Sequence, residues 1–170
     1  VPHEPGWDLF YLLGLINSRL LNTYFSNRFT TISLTAAFLG ELPIKRPKMS
    51  AEGNGVGAIS ELIFTLNGHL ADNPADQTTR DPLMLAYWEQ ILNGLVYELY
   101  FPEELHAAGL RLFDLVAAAQ LPDITKSSEK DRLTTLRKKF EDLYDIEHPL
   151  RAALFTVGNL EFVRIIEGKE

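Results

Sequence analysis

Apolar side chains recur at helical spacing through most of the chain. In the first segment, Asp8 precedes a pattern that predicts one largely buried helix as far as about Ser26. The apolar positions that follow the helical period in this segment are Leu9, Leu13, Ile16, Leu20 and Tyr24. The apolar stripe is widened by Phe10, Leu12, Leu15, Leu21 and Phe25. We therefore expect this face of the helix to pack against the core.

Later segments predict further helices, whose boundaries follow from caps and prolines. The first begins at Ser33 or Thr35 and runs to Leu39, and others cover about 57–70, 81–99, 102–120 and 149–158. A charged helix, capped by Ser127 or Ser128, runs to about Leu143. The glycine-rich stretch 50–57 predicts a linker. The apolar residues of 162–166 predict one final strand. The sequence thus predicts a mainly α fold, a helical domain with one or two short strands.

The composition is that of an ordinary globular domain, with 170 residues, 46% apolar and 23% charged. The absence of cysteine excludes disulfides, thiolate zinc sites and cysteine nucleophiles. No apolar run approaches the ~20 residues that span a bilayer, and the basic segment of a signal peptide is missing. We therefore expect a cytoplasmic protein with no membrane partner. The initial Val1 indicates that the chain is a piece of a longer one.

Charge is divided unevenly along the chain, although the net charge is −7. Residues 1–50 carry five basic and three acidic side chains, whereas residues 51–170 carry 11 basic and 20 acidic ones. A general nucleic-acid-binding protein would be basic overall. Any polyanion should therefore meet the N-terminal third, and the acidic remainder should face solvent or protein.

No arrangement typical of catalysis or metal binding stands out. The glycines of 53–57 lack the preceding strand that a dinucleotide-binding loop requires. The four histidines are scattered without partners at i, i+4. Glu103 and Glu104 follow Pro102, where the helix dipole favours acidic side chains in a first turn. We therefore expect no catalytic residue, no metal ligand and no cofactor in this chain.

Two polar sets remain as candidates for contact with nucleic acid. The candidates are Asn17, Arg19, Asn22 and Arg28 on the apolar N-terminal helix, and Lys45, Arg46 and Lys48 on a proline-containing extended segment. Such side chains bond phosphates or base edges. Each set also has a structural alternative, because a half-buried helix needs a polar side and an exposed loop is normally solvated.

Three blocks of the sequence resemble the C-terminal part of TaqI-like and type IIG restriction–modification enzymes. Residues 11–25, YLLGLINSRLLNTYF, are similar to a helix of their target-recognition domains. In the family a leucine- and proline-containing turn follows, and here residues 38–44 are FLGELPI, with Lys45 in place of a second proline. Residues 91–100, ILNGLVYELY, resemble the helix after that domain, and 148–168 are similar to the C-terminus of some members.

The resemblance implies that residues 1–50 end a DNA target-recognition domain and that residues 51–170 form a C-terminal helical region. It implies a parent enzyme that transfers a methyl group from S-adenosylmethionine to adenine in double-stranded DNA. The family's catalytic NPPY motif and glycine-rich cofactor motif are absent here. An upstream methyltransferase domain of the same chain would supply both, while this part positions the duplex and helps to read it.

The two best-matched blocks also predict buried side chains. The residues at their helix-period positions and in the following turn are Leu13, Ile16, Leu20, Tyr24, Leu42, Leu95, Val96 and Leu99. A function from another class stays open, because long helices with an acidic surface are typical of a protein-interaction or scaffold module. In that alternative, residues 81–143 bundle against a partner or another subunit.

Overall fold

The computed structural model describes residues 8–29, 36–48, 50–124 and 127–169. In chain order its helices are α1 (Leu9–Asn17), α2 (Arg19–Arg28), α3 (Ala36–Gly40), α4 (Ser50–Asp72), α5 (Asp81–Tyr100), α6 (Pro102–Ala107), α7 (Leu112–Ala118), α8 (Glu129–Leu143), α9 (Pro149–Val157) and α10 (Glu161–Ile166). A 3-10 turn, Pro74–Asp76, lies between α4 and α5. The predicted mainly α fold is confirmed, and no strand occurs within the described ranges.

Helix α5 is the centre of the fold, and most of its side chains are buried. Pro82 stands in its first turn, where the missing N–H has no intrahelical partner to lose. Helices α4, α7, α8 and α9 all contact α5. A Cβ on Gly94 would lie 2.9 Å from Leu112 Cδ1 and 3.0 Å from Leu154 Cδ2, so the absent side chain lets α7 and α9 approach closely.

The predicted N-terminal helix is broken at Ser18, which has an extended backbone between α1 and α2. The Ser18 hydroxyl donates to the Leu15 carbonyl at 2.6 Å and accepts from the Leu21 amide at 3.3 Å. One side chain therefore ends α1 and caps α2. As a result, α1 packs along α4 while α2 packs on α5 and α10.

The core positions predicted for this segment are wrong, although Leu15 and Leu21 of the wider apolar stripe are buried. The side chains that the core covers there are Tyr11, Leu15 and Leu21. The predicted core residues that are only half-buried are Leu13, Ile16 and Leu20. Two further residues of the predicted face are exposed, Leu9 at 74% and Tyr24 at 38%. Nearly every position of α1 is apolar, so several faces fit the helical period and packing selects one. The rest of the predicted core is confirmed at Leu42, Leu95, Val96 and Leu99.

The predicted linker at 50–57 is also wrong, because these residues form the first two turns of α4. The Glu52 carboxylate accepts from the Lys48 amide at 2.5 Å beside the start of the helix. Glycine lowers helix propensity, but tertiary packing supplies most helical stability in proteins. A Cβ on Gly57 would lie 3.0 Å from the Asp8 carboxylate oxygen, so this glycine lets α1 dock on α4.

The C-terminal part differs from the prediction in two places. The predicted helix over 102–120 is two helices, α6 and α7, with a turn at Gly109 between them, whose φ of +74° favours glycine. The predicted strand at 162–166 lies in helix α10. Val163 is buried, and Phe162 and Ile166 pack on the same core, a spacing that fits a helix as well as a short strand.

A buried ion pair fastens the start of α5 to α8. The Asp81 carboxylate is 2% exposed and accepts twice from the Arg137 guanidinium, at 2.6 and 2.9 Å. Asp81 also accepts from the Thr78 amide at 2.7 Å, and Arg137 donates to the Asp76 carbonyl at 2.7 Å. The hydrogen bonds from Arg137 hold the pKa of Asp81 below its usual range.

Helices from both sides of position 50 share one core, since α1 packs along α4 and α2 contacts α5. The functional division of the chain at that position stays a prediction. Among the described helices, none is long and apolar enough to cross a membrane.

Candidate nucleic-acid interface

An open cleft lies where α1 ends and α2 begins, and α4 and α5 form its other walls. It encloses about 440 Å³. Its polar lining consists of Asn17, Arg19, Asn22, Asn67, Glu89 and Asn93. We call these six residues and the space between them the amide cleft. Three of the residues that the sequence predicts as DNA contacts, Asn17, Arg19 and Asn22, therefore lie together.

Small, aliphatic and aromatic residues form the rest of the cleft lining. A Cβ on Gly14 would overlap the Ser60 hydroxyl and come within 3.0 Å of Val56, so this glycine brings α1 directly against α4. The Ser60 hydroxyl donates to the Val56 carbonyl at 2.7 Å and is thereby satisfied. On α4, Phe64 is 61% exposed, and its ring meets the Phe10 ring edge-on at 5.9 Å between centres. The wall thus presents an aromatic ring.

Hydrogen bonds within the chain orient three of the four amides. The Arg19 backbone amide donates to Asn93 Oδ1 at 2.7 Å, which ties the start of α2 to α5. Asn22 donates from Nδ2 to the Ser18 carbonyl at 2.9 Å, and Asn17 donates to an α1 carbonyl at 2.9 Å. The groups left for a ligand are therefore Oδ1 of Asn17, Oδ1 of Asn22 and Nδ2 of Asn93.

Two opposite charges face the amide cleft without forming an ion pair. Within the described ranges, no hydrogen bond or ion pair engages the Arg19 guanidinium or the Glu89 carboxylate, and the Asn67 amide is likewise unbonded. All three side chains are exposed. Water hydrates exposed charged and amide groups of this kind. A ligand that displaces the water can therefore bond to them without competition from other groups of the chain.

A second groove of about 310 Å³ shares Arg19, Glu89 and Asn93 with the amide cleft. In its wall, the Tyr97 hydroxyl donates to Glu167 Oε1 at 3.1 Å. Burial raises the pKa of Tyr97 well above its ordinary value, and the neighbouring Glu167 carboxylate raises it further. The Tyr97 hydroxyl therefore stays protonated and can donate. Arg19 lines both the amide cleft and this second groove.

Lys45 has a structural task at the C-terminal end of α5. Its ammonium donates to the Leu99 carbonyl at 2.7 Å and lies 5.6 Å from the centre of the Tyr100 ring. Its backbone amide donates to the Tyr100 hydroxyl at 3.1 Å, a bond that a proline here could not make. The Lys45 carbonyl accepts from the Tyr11 hydroxyl at 2.6 Å. Lys45 thus holds the extended segment on the fold.

The other predicted cations do not line the amide cleft. Arg28 is exposed on α2, with Nη2 3.9 Å from the Glu41 carboxylate and its guanidinium 5.7 Å from the centre of the Phe29 ring. Arg46 and Lys48 are exposed on the extended segment that precedes α4. Of the seven predicted contacts, three therefore line the amide cleft and four lie outside it.

Sequence reasoning missed four residues of this site, and a signal existed for two of them. Glu89 and Asn93 stand one helical turn apart, so they share one side of the otherwise apolar helix α5. Phe64 and Asn67 stand three residues apart on α4. Nothing in the local sequence indicates that this side of α4 meets the junction of α1 and α2, because the residues are distant in the chain.

Comparison of the chain with known protein families, characterised proteins and solved structures finds no match. In the described part of the chain, no group of three His, Asp or Glu side chains could hold a metal ion. The amide cleft offers hydrogen-bond donors and acceptors, one cation and one aromatic ring. This combination suits recognition of a polar, planar group.

Proposed function

We propose that this chain is the non-catalytic, DNA-recognising and DNA-positioning region of an adenine-specific DNA methyltransferase or restriction–modification enzyme. Double-stranded DNA would meet the amide cleft. An upstream methyltransferase domain of the same chain would bind S-adenosylmethionine and transfer the methyl group. The observation that supports this proposal most is the grouping of Asn17, Arg19 and Asn22, each predicted as a DNA contact, around one open concavity.

The chemistry of the amide cleft fits a division between positioning and reading. Arg19 is its cation, and a guanidinium binds phosphate oxygens with two parallel hydrogen bonds. The asparagine side chains offer the donors and acceptors that base edges require. Contacts to phosphate would set the register of the duplex, and contacts to bases would select the sequence.

The acidic remainder of the chain limits where DNA can approach. Residues 51–170 carry 20 acidic and 11 basic side chains, so we expect the phosphates to approach the amide cleft from the side of α1, α2 and the extended segment. With so few cations, we expect weak binding by the chain alone, with Kd about 10⁻⁴–10⁻⁶ M at physiological salt.

The salt dependence of duplex binding tests the proposal. Fluorescence anisotropy of a labelled duplex would be measured between about 50 and 200 mM salt. Arg19→Gln should flatten the slope of log K against log salt by about 0.9, the effect of one phosphate contact. Lys138→Gln is the matched control, because Lys138 is exposed on α8 and lines neither concavity. A slope that Arg19→Gln leaves unchanged would remove the amide cleft from the DNA surface.

The extended segment needs a separate test, because Lys45 bonds the Leu99 carbonyl. Lys45→Met should lower the free energy of unfolding and leave the salt slope unchanged. Arg46→Gln combined with Lys48→Gln should flatten the slope by at most about 1.8, the effect of two contacts. A flatter slope with Lys45→Met at unchanged stability would show that Lys45 contacts phosphate instead.

Cofactor binding is expected only in the upstream domain. Calorimetric titration of this chain with S-adenosylmethionine should therefore give no saturable binding in the micromolar range. Saturable binding would place part of the methyltransferase site in this chain and would contradict the proposed division of tasks.

A helical protein-interaction module is the second candidate, and exposed apolar side chains favour it. Leu9 on α1 and Phe64 on α4 are 74% and 61% exposed, and these two helices pack on each other. Light scattering of the chain would show self-association if this surface joins two copies. Self-association that Leu9→Ser abolishes, in a chain that fails to bind duplex DNA, would favour this candidate.

A further inference from the structure

The unpartnered groups of the amide cleft match those that a nucleobase presents. We infer that the cleft binds one unstacked nucleobase that carries an exocyclic amino group, with the ring against Phe64 and the amino group toward Glu89. Thymine is the base that this arrangement rejects. The inference rests on the proposed function only where the base belongs to a DNA strand, since a free nucleotide offers the same chemistry.

Phe64 supplies a surface on which a base can stack. The side chain is 61% exposed on the wall formed by α4. The Phe10 ring meets it edge-on at 5.9 Å, which supports the orientation of the Phe64 ring from one side. Proteins commonly recognise unpaired bases by stacking them on aromatic side chains, because every base has an apolar face.

Glu89 supplies the selectivity for an amino group. An ionised carboxylate only accepts hydrogen bonds, so it bonds the amino group of adenine, cytosine or guanine. Thymine has a carbonyl oxygen where cytosine has its amino group, and its one base donor, the ring N3–H, lies between two carbonyl oxygens that repel a carboxylate. Asn93, one helical turn away, keeps Nδ2 as a donor because its Oδ1 accepts from Arg19. The cleft wall therefore presents an acceptor and a donor one helical turn apart.

The dimensions and the position of Arg19 fit a whole nucleotide. The volume of about 440 Å³ lies within the ~300–1,000 Å³ that is usual for small-molecule sites. The lining also contains the apolar side chains of Leu13, Ile63 and Leu92, which a base ring can contact. Arg19 borders both the amide cleft and the second groove, so a phosphate on the sugar would meet its guanidinium.

The test is a calorimetric titration of the chain with the four deoxynucleoside monophosphates. At least one of the three amino-bearing nucleotides should bind about tenfold more tightly than thymidine monophosphate, the selectivity that one good base contact supplies. Glu89→Gln should abolish this preference, because the Gln amide also donates to a carbonyl. Phe64→Leu should weaken binding of every nucleotide. Phe155→Leu is its matched control, since Phe155 is 74% exposed on α9 and lines neither concavity.

Single-stranded oligonucleotides separate the two sources of the base. If free nucleotides bind with these preferences, the cleft is a site for a free nucleotide as well as for a strand. If only oligonucleotides bind, with oligo-dA preferred to oligo-dT and with the same dependence on Glu89 and Phe64, the base comes from a DNA strand. Thymidine monophosphate that binds as tightly as the others, or no binding by either class, would overturn the inference.

The inference and the proposed function can fail separately. Nucleotide binding without any duplex binding would reject the DNA-positioning function and retain the base site. Duplex binding that depends on Arg19 but is unaffected by Glu89→Gln and Phe64→Leu, in a chain that binds no nucleotide, would do the reverse. Circular dichroism of each variant would establish that its helical content is unchanged.

Discussion

Two carboxylates of α5, Asp81 and Glu89, differ in burial and in hydrogen bonding. Asp81 is 2% exposed and accepts from the Arg137 guanidinium with both oxygens. Glu89, about 12 Å further along the helix, lines the amide cleft and has no protein partner in the described ranges. An unpaired charge is costly to bury but is solvated when exposed. The paired carboxylate thus belongs to the fold, and the unpaired one is available for binding.

Two cations, Lys45 and Arg19, differ in the same way in whether the chain bonds their charged group. The Lys45 ammonium donates to the Leu99 carbonyl at 2.7 Å, and this hydrogen bond holds the extended segment on the end of α5. Within the described ranges, the Arg19 guanidinium has no such partner, and only its backbone amide is bonded. A basic residue is therefore a better candidate for DNA contact when its charge is not already used within the chain.

Loss of Arg137 should have the largest effect on stability. Arg137→Ala leaves Asp81 buried without its partner, so the free energy of unfolding should fall by about 3–5 kcal/mol, toward the lower value because Arg137 is 32% exposed. Urea unfolding followed by circular dichroism measures this. Arg80→Ala is the control, since the Arg80–Glu141 pair is about half exposed and should contribute under about 1 kcal/mol. Equal losses of unfolding free energy in the two variants would show that the buried pair contributes no more than the exposed one.

The two predicted core leucines should differ in the same experiment. Leu99 is 4% exposed at the end of α5, so Leu99→Ala should lower the free energy of unfolding by about 2–5 kcal/mol. Leu20 on α2 is only half-buried, and Leu20→Ala should cost about 1 kcal/mol. A larger loss at Leu20 than at Leu99 would mean that α2 packs on the core by another face.

Acid should weaken the Asp81–Arg137 pair, because the pair is lost when the Asp81 carboxylate is protonated. Because Arg137 lowers the folded-state pKa of Asp81, this group stabilises the fold fully above the usual carboxyl range. The contribution is lost as the pH falls through the lower pKa of the folded state. Urea midpoints measured at decreasing pH should therefore fall more steeply in the native chain than in Arg137→Ala. Parallel curves would show that the pair contributes nothing.

Glu89→Gln should have the smallest effect on stability. Because Glu89 is exposed and has no partner within the described ranges, the free energy of unfolding should change by less than about 0.5 kcal/mol. The same urea titration measures this. A loss comparable to that of Arg137→Ala would show that Glu89 is part of the structural network and not of a binding surface.

The features that the sequence predicted well depend on neighbouring residues. Of the two caps predicted for α8, Ser127 or Ser128, the structure has Ser128, whose hydroxyl accepts from the Asp131 amide at 3.3 Å. The prolines at 82, 102 and 149 mark the starts of α5, α6 and α9. The buried positions of α5 follow from its apolar character, because a helix that is apolar on most of its sides must be covered there.

The features that the sequence did not predict depend on distant residues. The glycines of 53–57 indicate a linker locally, but packing of α1 on α4 stabilises a helix there. The break at Ser18 lies inside a continuous apolar pattern, so periodicity alone gives no boundary. The amide cleft joins α1 and α2 to parts of α4 and α5 that lie far along the chain. Its grouping of polar residues exists only after folding.

The amide cleft as the DNA surface is tested most directly by NMR of the asparagine side-chain NH₂ groups in the isotope-labelled chain. Unlabelled duplex DNA would be added at low salt. The resonances of the four asparagines of the amide cleft should shift together along one binding curve. Asn73 and Asn159 are internal controls that should stay unchanged, because neither lines the amide cleft or the second groove. Saturable duplex binding that leaves all four cleft resonances in place would contradict the account.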